Sequence, residues 1–339
     1  MSDEINPAIE RAWESLQEGD VAGALTIAER EHQRDPQSPE VMLLLAACCR
    51  GQGDTERAMT LLTQASQLDA EWSAPELWLA EILADDLDEP AEALKHAALA
   101  LDRAEEEDEF LDALVLKAGL QISLGKLKGA RETLSELPPA GEVELPAELA
   151  LDLAYLFLEA GDREEAERRF GALAEAGTEE AEACYGLGLV AEATGDEEGK
   201  RKAWLSVLAI DAAAPLASEH LSEAEMGEVA EVALKELPKR ARDLIENVPI
   251  LIVDLPAHDE VAQGLDPRLL GLFAGATCSD SAAMTGAPQL TQILLFRKNL
   301  ERMAIDADDL REQIRITLLH ETGHFFGMSE EDLARVGLE

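Results

Sequence analysis

The stretch HETGHFFGMSEED, His320 to Asp332, decides how the last third of this chain reads. His320, Glu321 and His324 form His-Glu-x-x-His, and on a helix residues four apart share one face. Two imidazoles then point at one metal ion, with the Glu321 carboxylate beside it to take a proton from water. That is the chemistry of zinc-dependent hydrolysis, used most often on peptide bonds. Gly327 allows a sharp turn after the helix. A continuing helix would carry Glu330 away from the metal, whereas a turn at Gly327 lets it fold back as a third ligand.

Upstream, the sequence predicts a helix starting near Asp308, with Asp309 and Glu312 as a capping box. Leu310, Ile314, Thr317, Leu318 and Glu321 run along it. Three short apolar runs read as strands: VPILIVDL from Val248, LLGLFA from Leu269 and QILLFR from Gln292. Gly275 to Pro288 is rich in small and polar residues and reads as a loop. A further helix, near Glu223 to Glu246, is expected to break or kink at Pro238. Helix, strands and helix predict a small α+β domain over residues 221–339.

The preceding residues, 1–220, follow a different rule. Gly19-Asp20, Gly53-Asp54, Leu87-Asp88, Gly125-Lys126, Gly161-Asp162 and Gly195-Asp196 are spaced by 34, 34, 38, 36 and 34 residues. A period near 34 marks stacked helix-turn-helix units. Gly ends one helix in the left-handed conformation and Asp caps the next. Ala24, Ala58, Ala93, Ala130 and Ala166 follow the marks at a similar offset, so neighbouring helices can pack closely. This pattern resembles the tetratricopeptide repeat family, with about six repeats over residues 5–215. The resemblance implies an all-α solenoid whose curved surface binds a protein or peptide partner. A spacer or scaffold without a specific ligand is the alternative.

The C-terminal residues, about 228–337, resemble the bacterial minimal zincin-like metallopeptidase family, akin to a stripped-down matrix-metalloproteinase domain. The segments that carry the resemblance are LPKRARDLIENVPILIVD, LLGLFAG, QILLFRKNL and LREQIRITLLHETGHFFGMSEEDLARVG. The family's pattern is His-Glu-x-x-His-x-x-Gly-x-x-Asp. Carried over, it implies zinc on His320 and His324, Glu321 as general base and a turn at Gly327. The last position departs, with Glu330 for Asp, and Glu331 or Asp332 are alternative third ligands. These three could instead open a last short helix, Ser329 to Val336, capped by Ser329. Met328 is expected to pack on the core and His258 to lie in a surface loop. Arg297 is a solvated charge or part of an edge strand that could pair with an extended substrate. No oxyanion donor stands out.

The formal net charge is -43, from 71 acidic and 28 basic residues. From Leu221 onward the net is -11, leaving -32 in the first 220 residues. Such acidity repels phosphates, so nucleic acid and anionic membranes are not expected as partners. The start, MSDEINPAIE, has no apolar leader, and no window reaches the ~18 apolar residues of a membrane span. Cys48, Cys49, Cys184 and Cys278 form no metal or disulfide pattern and suit reduced thiols in the cytoplasm. Two functions from different classes follow. The first is a cytoplasmic zinc metallopeptidase whose repeats recruit its substrate or a protein partner; the second is an interaction scaffold with a structural or degenerate metal site. A metal hydrolase acting on a non-peptide bond is a third.

Overall fold

The computed structural model describes residues 6–139, 145–216, 220–237, 239–245, 248–275, 292–326, 328–329, 331–332 and 335. They form two compact units, Met1–Ala172 and Leu173–Glu339.

The first unit is a stack of antiparallel helix pairs: α1 (Pro7–Gln17) with α2 (Val21–Arg34), α3 (Pro39–Gly51) with α4 (Thr55–Leu68), α5 (Ala74–Glu81) with α6 (Pro90–Arg103), and α7 (Glu107–Ser123) with α8 (Leu127–Leu134). Then follow α9 (Ala147–Glu159) and α10 (Arg163–Ala176). Gly19, Gly53, Gly125 and Gly161 all sit at φ between 69° and 84°, where a side chain would be strained. At the Leu87-Asp88 mark, Asp88 itself takes φ 53°, a conformation Asp tolerates better than most residues. Asp20 and Asp54 then accept the N–H groups of Gly23 and Arg57, at 2.9 and 3.2 Å. The small residues Ala24, Ala58, Ala93, Ala130 and Ala166 are fully buried. Between α5 and α6 the chain makes a π turn, Ile82–Asp86. Arg50 of α3 clasps it, reaching Glu81, Asp85 and Asp86 at 3.0, 3.1 and 3.1 Å.

The second unit begins with another such pair, α11 (Glu180–Thr194) and α12 (Glu197–Ala213). Gly195 has φ 76° and Asp196 caps α12. Gly188 leaves room for the Trp204 indole, since a Cβ there would lie 2.0 Å from its ring nitrogen. Next come α13 (Glu223–Glu236) and α14 (Lys239–Ile245), separated where Leu237 is extended, as the residue before a proline should be. Pro238 lies outside the described residues. A three-stranded sheet follows: β1 (Ile250–Val253), β2 (Gly271–Ala274) and β3 (Gln292–Phe296), with α15 (His258–Ala262) between β1 and β2. The order is β1-β3-β2, with β3 parallel to β1 and antiparallel to β2. After the sheet come α16 (Arg297–Met303) and α17 (Ala307–Phe325). The core joins Met226 and Ala230 of α13, Ile293 and Leu295 of β3, and Leu310, Ile314 and Leu318 of α17.

Three expectations need correction. QILLF is the middle strand, so Arg297 belongs to no edge strand; it opens α16 and pairs with Asp254 at 2.8 Å. The cap of the last helix is Asp306, which accepts from Asp308 and Asp309 N–H at 2.9 Å each, while Glu312 pairs with Arg315. His258 starts a short helix rather than lying in a loop, although its side chain is exposed. Most of the expected loop Gly275–Pro288 lies outside the described residues, as does Cys278. Among the described residues, no helix is long and apolar enough to cross a membrane.

Candidate metal centre

Helix α17 is held by the apolar row Leu310, Ile314 and Leu318, each fully buried beneath the sheet and α13. That anchoring fixes the rotation of its last turns. Glu321 and Thr322 are buried there, and the Thr322 hydroxyl donates to the Leu318 carbonyl at 2.8 Å. His320 and His324 follow on neighbouring turns of one face. Their Nε2 atoms lie 2.9 Å apart, with the rings tilted by 77°. Both Nε2 atoms thus converge on one small region. Tetrahedral zinc at its usual Zn–N distance needs the two nitrogens roughly 3.3 Å apart, a few tenths wider, within reach of small ring rotations.

Glu321 is 8 % exposed, and its Oε2 accepts the main-chain N–H of Phe273 at 2.7 Å. That contact follows from strand register. Phe296 N–H donates to Leu270 O, so residues 270, 272 and 274 of the second strand face β3 with their hydrogen-bonding groups. Gly271 and Phe273 therefore turn their N–H groups to the sheet's outer edge. Gly271 also sets how closely β2 approaches α17: a Cβ there would lie 2.6 Å from Thr317 Cγ2 and 3.2 Å from Glu321 Cγ. Neither residue stood out in the sequence. The available signal was a lone glycine inside an apolar run, which marks a close backbone approach.

Past the helix, Met328 N–H donates to Gly323 O at 3.1 Å. Met328 is half-buried. Ser329 and Asp332 form a local box: Asp332 Oδ2 accepts from Ser329 Oγ at 2.9 Å, and Asp332 N–H donates to Ser329 Oγ at 3.3 Å. Asp332 Oδ1 accepts from Arg335 at 3.1 Å, and Glu331 pairs with Arg335 at 3.5 Å. Both alternative ligands are thus engaged by neighbours. Gly327 and Glu330 lie outside the described residues. Among the described residues, no three His, Cys, Asp or Glu side chains are placed together to hold a metal ion. A separate groove of about 500 Å3 between α13 and α17 is lined by Val229, Val232, Arg311 and Arg315, and by none of the candidate site residues.

Comparison with known proteins matches different parts of the chain to two families. Residues 245–338 match the model of the family described as zincin-like metallopeptidase. Two tetratricopeptide repeat models match residues 15–82 and 151–217. No curated protein matches the chain. Similar solved structures include PilW, a type IV pilus biogenesis factor, at 17% identity over 63% of this chain and 96% of that one, with TM-score 0.47. PilF of Pseudomonas aeruginosa is 15% identical over 61% of this chain and 92% of its own, with TM-score 0.47. YrrB, a repeat protein with an unusual peptide-binding site, is 18% identical over 54% and 91%, with TM-score 0.45. The chain thus joins tetratricopeptide repeats, within residues 15–217, to a domain of the zincin-like metallopeptidase family, over residues 245–338.

Proposed function

We propose that the C-terminal domain is a zinc-dependent peptidase and that the repeats recruit its substrate or a protein partner. The observation that carries this reading is the convergence of His320 and His324 Nε2, with the buried Glu321 next to His320 in the chain. A pair of imidazoles with a nearby carboxylate is a donor set that suits zinc. His320 and His324 would hold the ion, with Glu330 as the proposed third ligand. Bound zinc would supply Lewis acidity toward a carbonyl oxygen and a water molecule, whose proton would then leave near neutral pH. Glu321 accepts that proton and passes it to the departing amine. Burial limits Glu321 to few rotamers, and the Phe273 N–H fixes where its Oε2 sits.

In the repeats, a groove of about 480 Å3 is lined by Leu116, Leu120, Tyr155 and Leu156, with Asp85 and Asp152 among its walls. It suits an apolar side chain flanked by basic residues. The net charge of -43 argues against nucleic acid as a partner. The free thiols Cys48, Cys49 and Cys184 support a reducing, cytoplasmic setting.

One observation favours a second reading, a scaffold with a structural or vestigial metal site: Glu331 and Asp332 are engaged by Arg335 and Ser329. Zinc analysis and peptide cleavage separate the two. Protein purified without chelators should hold one zinc ion and cleave peptides, and Glu321→Ala should abolish cleavage while keeping zinc. Zinc at full occupancy with no cleavage of a broad peptide library would favour a scaffold with a structural site, and no zinc uptake on titration would reject the peptidase and leave a scaffold with a vestigial site.

A further inference from the structure

The segment that leads into β2 is gripped by the helix pair at the end of the repeat array. Tyr185 of α11 donates its hydroxyl to Asp266 at 2.8 Å. Arg268 forms an ion pair with Glu182 of α11, lies 3.6 Å from Asp211 of α12, and stacks its guanidinium 4.8 Å above the Tyr185 ring. Asp211 is 3 % exposed and also binds Arg302 of α16 at 2.7 Å. The buried Asn299 of α16 donates to the Pro267 and Leu269 carbonyls at 2.9 and 2.7 Å. Lys298 caps the end of α12, donating to the carbonyls of Asp211 and Ala214 at 3.0 and 2.7 Å. Beneath these polar contacts, Val261 of α15 is buried against Trp204 and Leu208 of α12.

Two residues beyond Leu269 stands Gly271, where β2 closes on Thr317 and Glu321; two further is Phe273, whose N–H holds Glu321. A buried ionic network adds little net stability, because desolvation offsets most of its attraction. What it does supply is a fixed geometry. Misplacing a reacting group by about 1 Å can cost on the order of 100-fold in rate.

We propose that α11 and α12, besides belonging to the repeats, are the mount of the candidate catalytic strand. Through Asp266 and Arg268 they set the approach of β2 to α17 and hence the hold of Phe273 on Glu321, which makes Arg268 a positioning residue. The kinetic side of this proposal rests on the peptidase reading; the structural side does not.

The test is amide hydrogen exchange on the full chain. The wild-type Phe273 N–H should be protected although it faces the outer edge of the sheet, and Glu321→Ala should remove that protection. Arg268→Ala should speed Phe273 exchange by on the order of ten-fold, while amides of Leu310 to Leu318 in α17 keep wild-type protection. Arg268→Lys, with the charge but not the planar fork, should fall between the two. If Arg268→Ala does not fold, Tyr185→Phe removes only the hydroxyl bond to Asp266 and should raise Phe273 exchange about two- to three-fold. With an active protein, Arg268→Ala should lower kcat by about ten-fold with KM and zinc content unchanged. Unchanged Phe273 exchange in both variants would overturn the proposal, as would a rise spread equally over the whole domain, the mark of general destabilisation. A wild-type protein with no peptidase activity would sink the peptidase reading alone, leaving the exchange results to decide this one.

Discussion

The Nε2 atom of His324 lies 2.9 Å from Nε2 of His320, one helical turn away, so both rings reach the same small region. Replacing either histidine by alanine should therefore weaken zinc binding by more than the roughly 10–100-fold that loss of an outer-shell partner costs. Competition with a chromophoric chelator measures this. Equal zinc affinity in His324→Ala would place the metal elsewhere.

The packing of α11 on α12 should tolerate no side chain at position 188. A Cβ on Gly188 would lie 2.0 Å from the Trp204 ring nitrogen. Gly188→Ala is expected to cost roughly 1–3 kcal/mol, read from urea unfolding followed by tryptophan fluorescence. Gly171→Ala, where a Cβ meets nothing within 4 Å, serves as the control.

Thiol chemistry should separate the cysteines from any catalytic role. Burial, reinforced by the neighbouring Cys49, pushes the Cys48 thiol up to about 11. Cys49 is raised as well, mainly by burial. The nucleophilic thiolate is then scarce at pH 8. Neither residue should react with a disulfide reagent in the native protein, and both should react once it is unfolded.

Acid should weaken the first unit through Glu76. Burial acts to raise its pKa, but hydrogen bonds from His96 and Ser66 and the charges of His96 and Arg103 outweigh it and leave the carboxyl below its usual value. A depressed folded-state pKa means that its stabilisation is complete above the unfolded value of about 4.3 and is lost as pH falls through the folded one. Glu76→Gln should lower Tm at pH 7 and shrink the drop in Tm between pH 7 and pH 3. An undiminished drop would assign acid sensitivity to other carboxylates.

Much of this architecture was legible because it rests on residues with few conformational alternatives. A glycine at positive φ followed by a capping Asp announces a helix pair wherever it recurs, as at Gly19 and Gly53. Likewise the His-Glu-x-x-His spacing places His320 and His324 together once a helix is granted. What escaped depends on contacts remote in sequence. Asp306, Asp308 and Asp309 are all acceptable caps, and only the backbone path from α16 selects Asp306. An apolar run such as QILLF does not say whether it lies at the middle or the edge of a sheet. The hold of Phe273 on Glu321 spans 48 residues, and the Tyr185 bond to Asp266 spans 81.

Arg50, clasped by Glu81, Asp85 and Asp86, has a consequence for how the first helix pairs come apart. In a linear array, cooperativity travels only through nearest-neighbour coupling, so each junction is a potential breaking point. At this junction one guanidinium bridges three carboxylates and lessens their mutual repulsion. Replacing it should loosen the π turn from α3, while the apolar core that continues through Leu79 and Ile82 keeps the neighbouring pairs coupled.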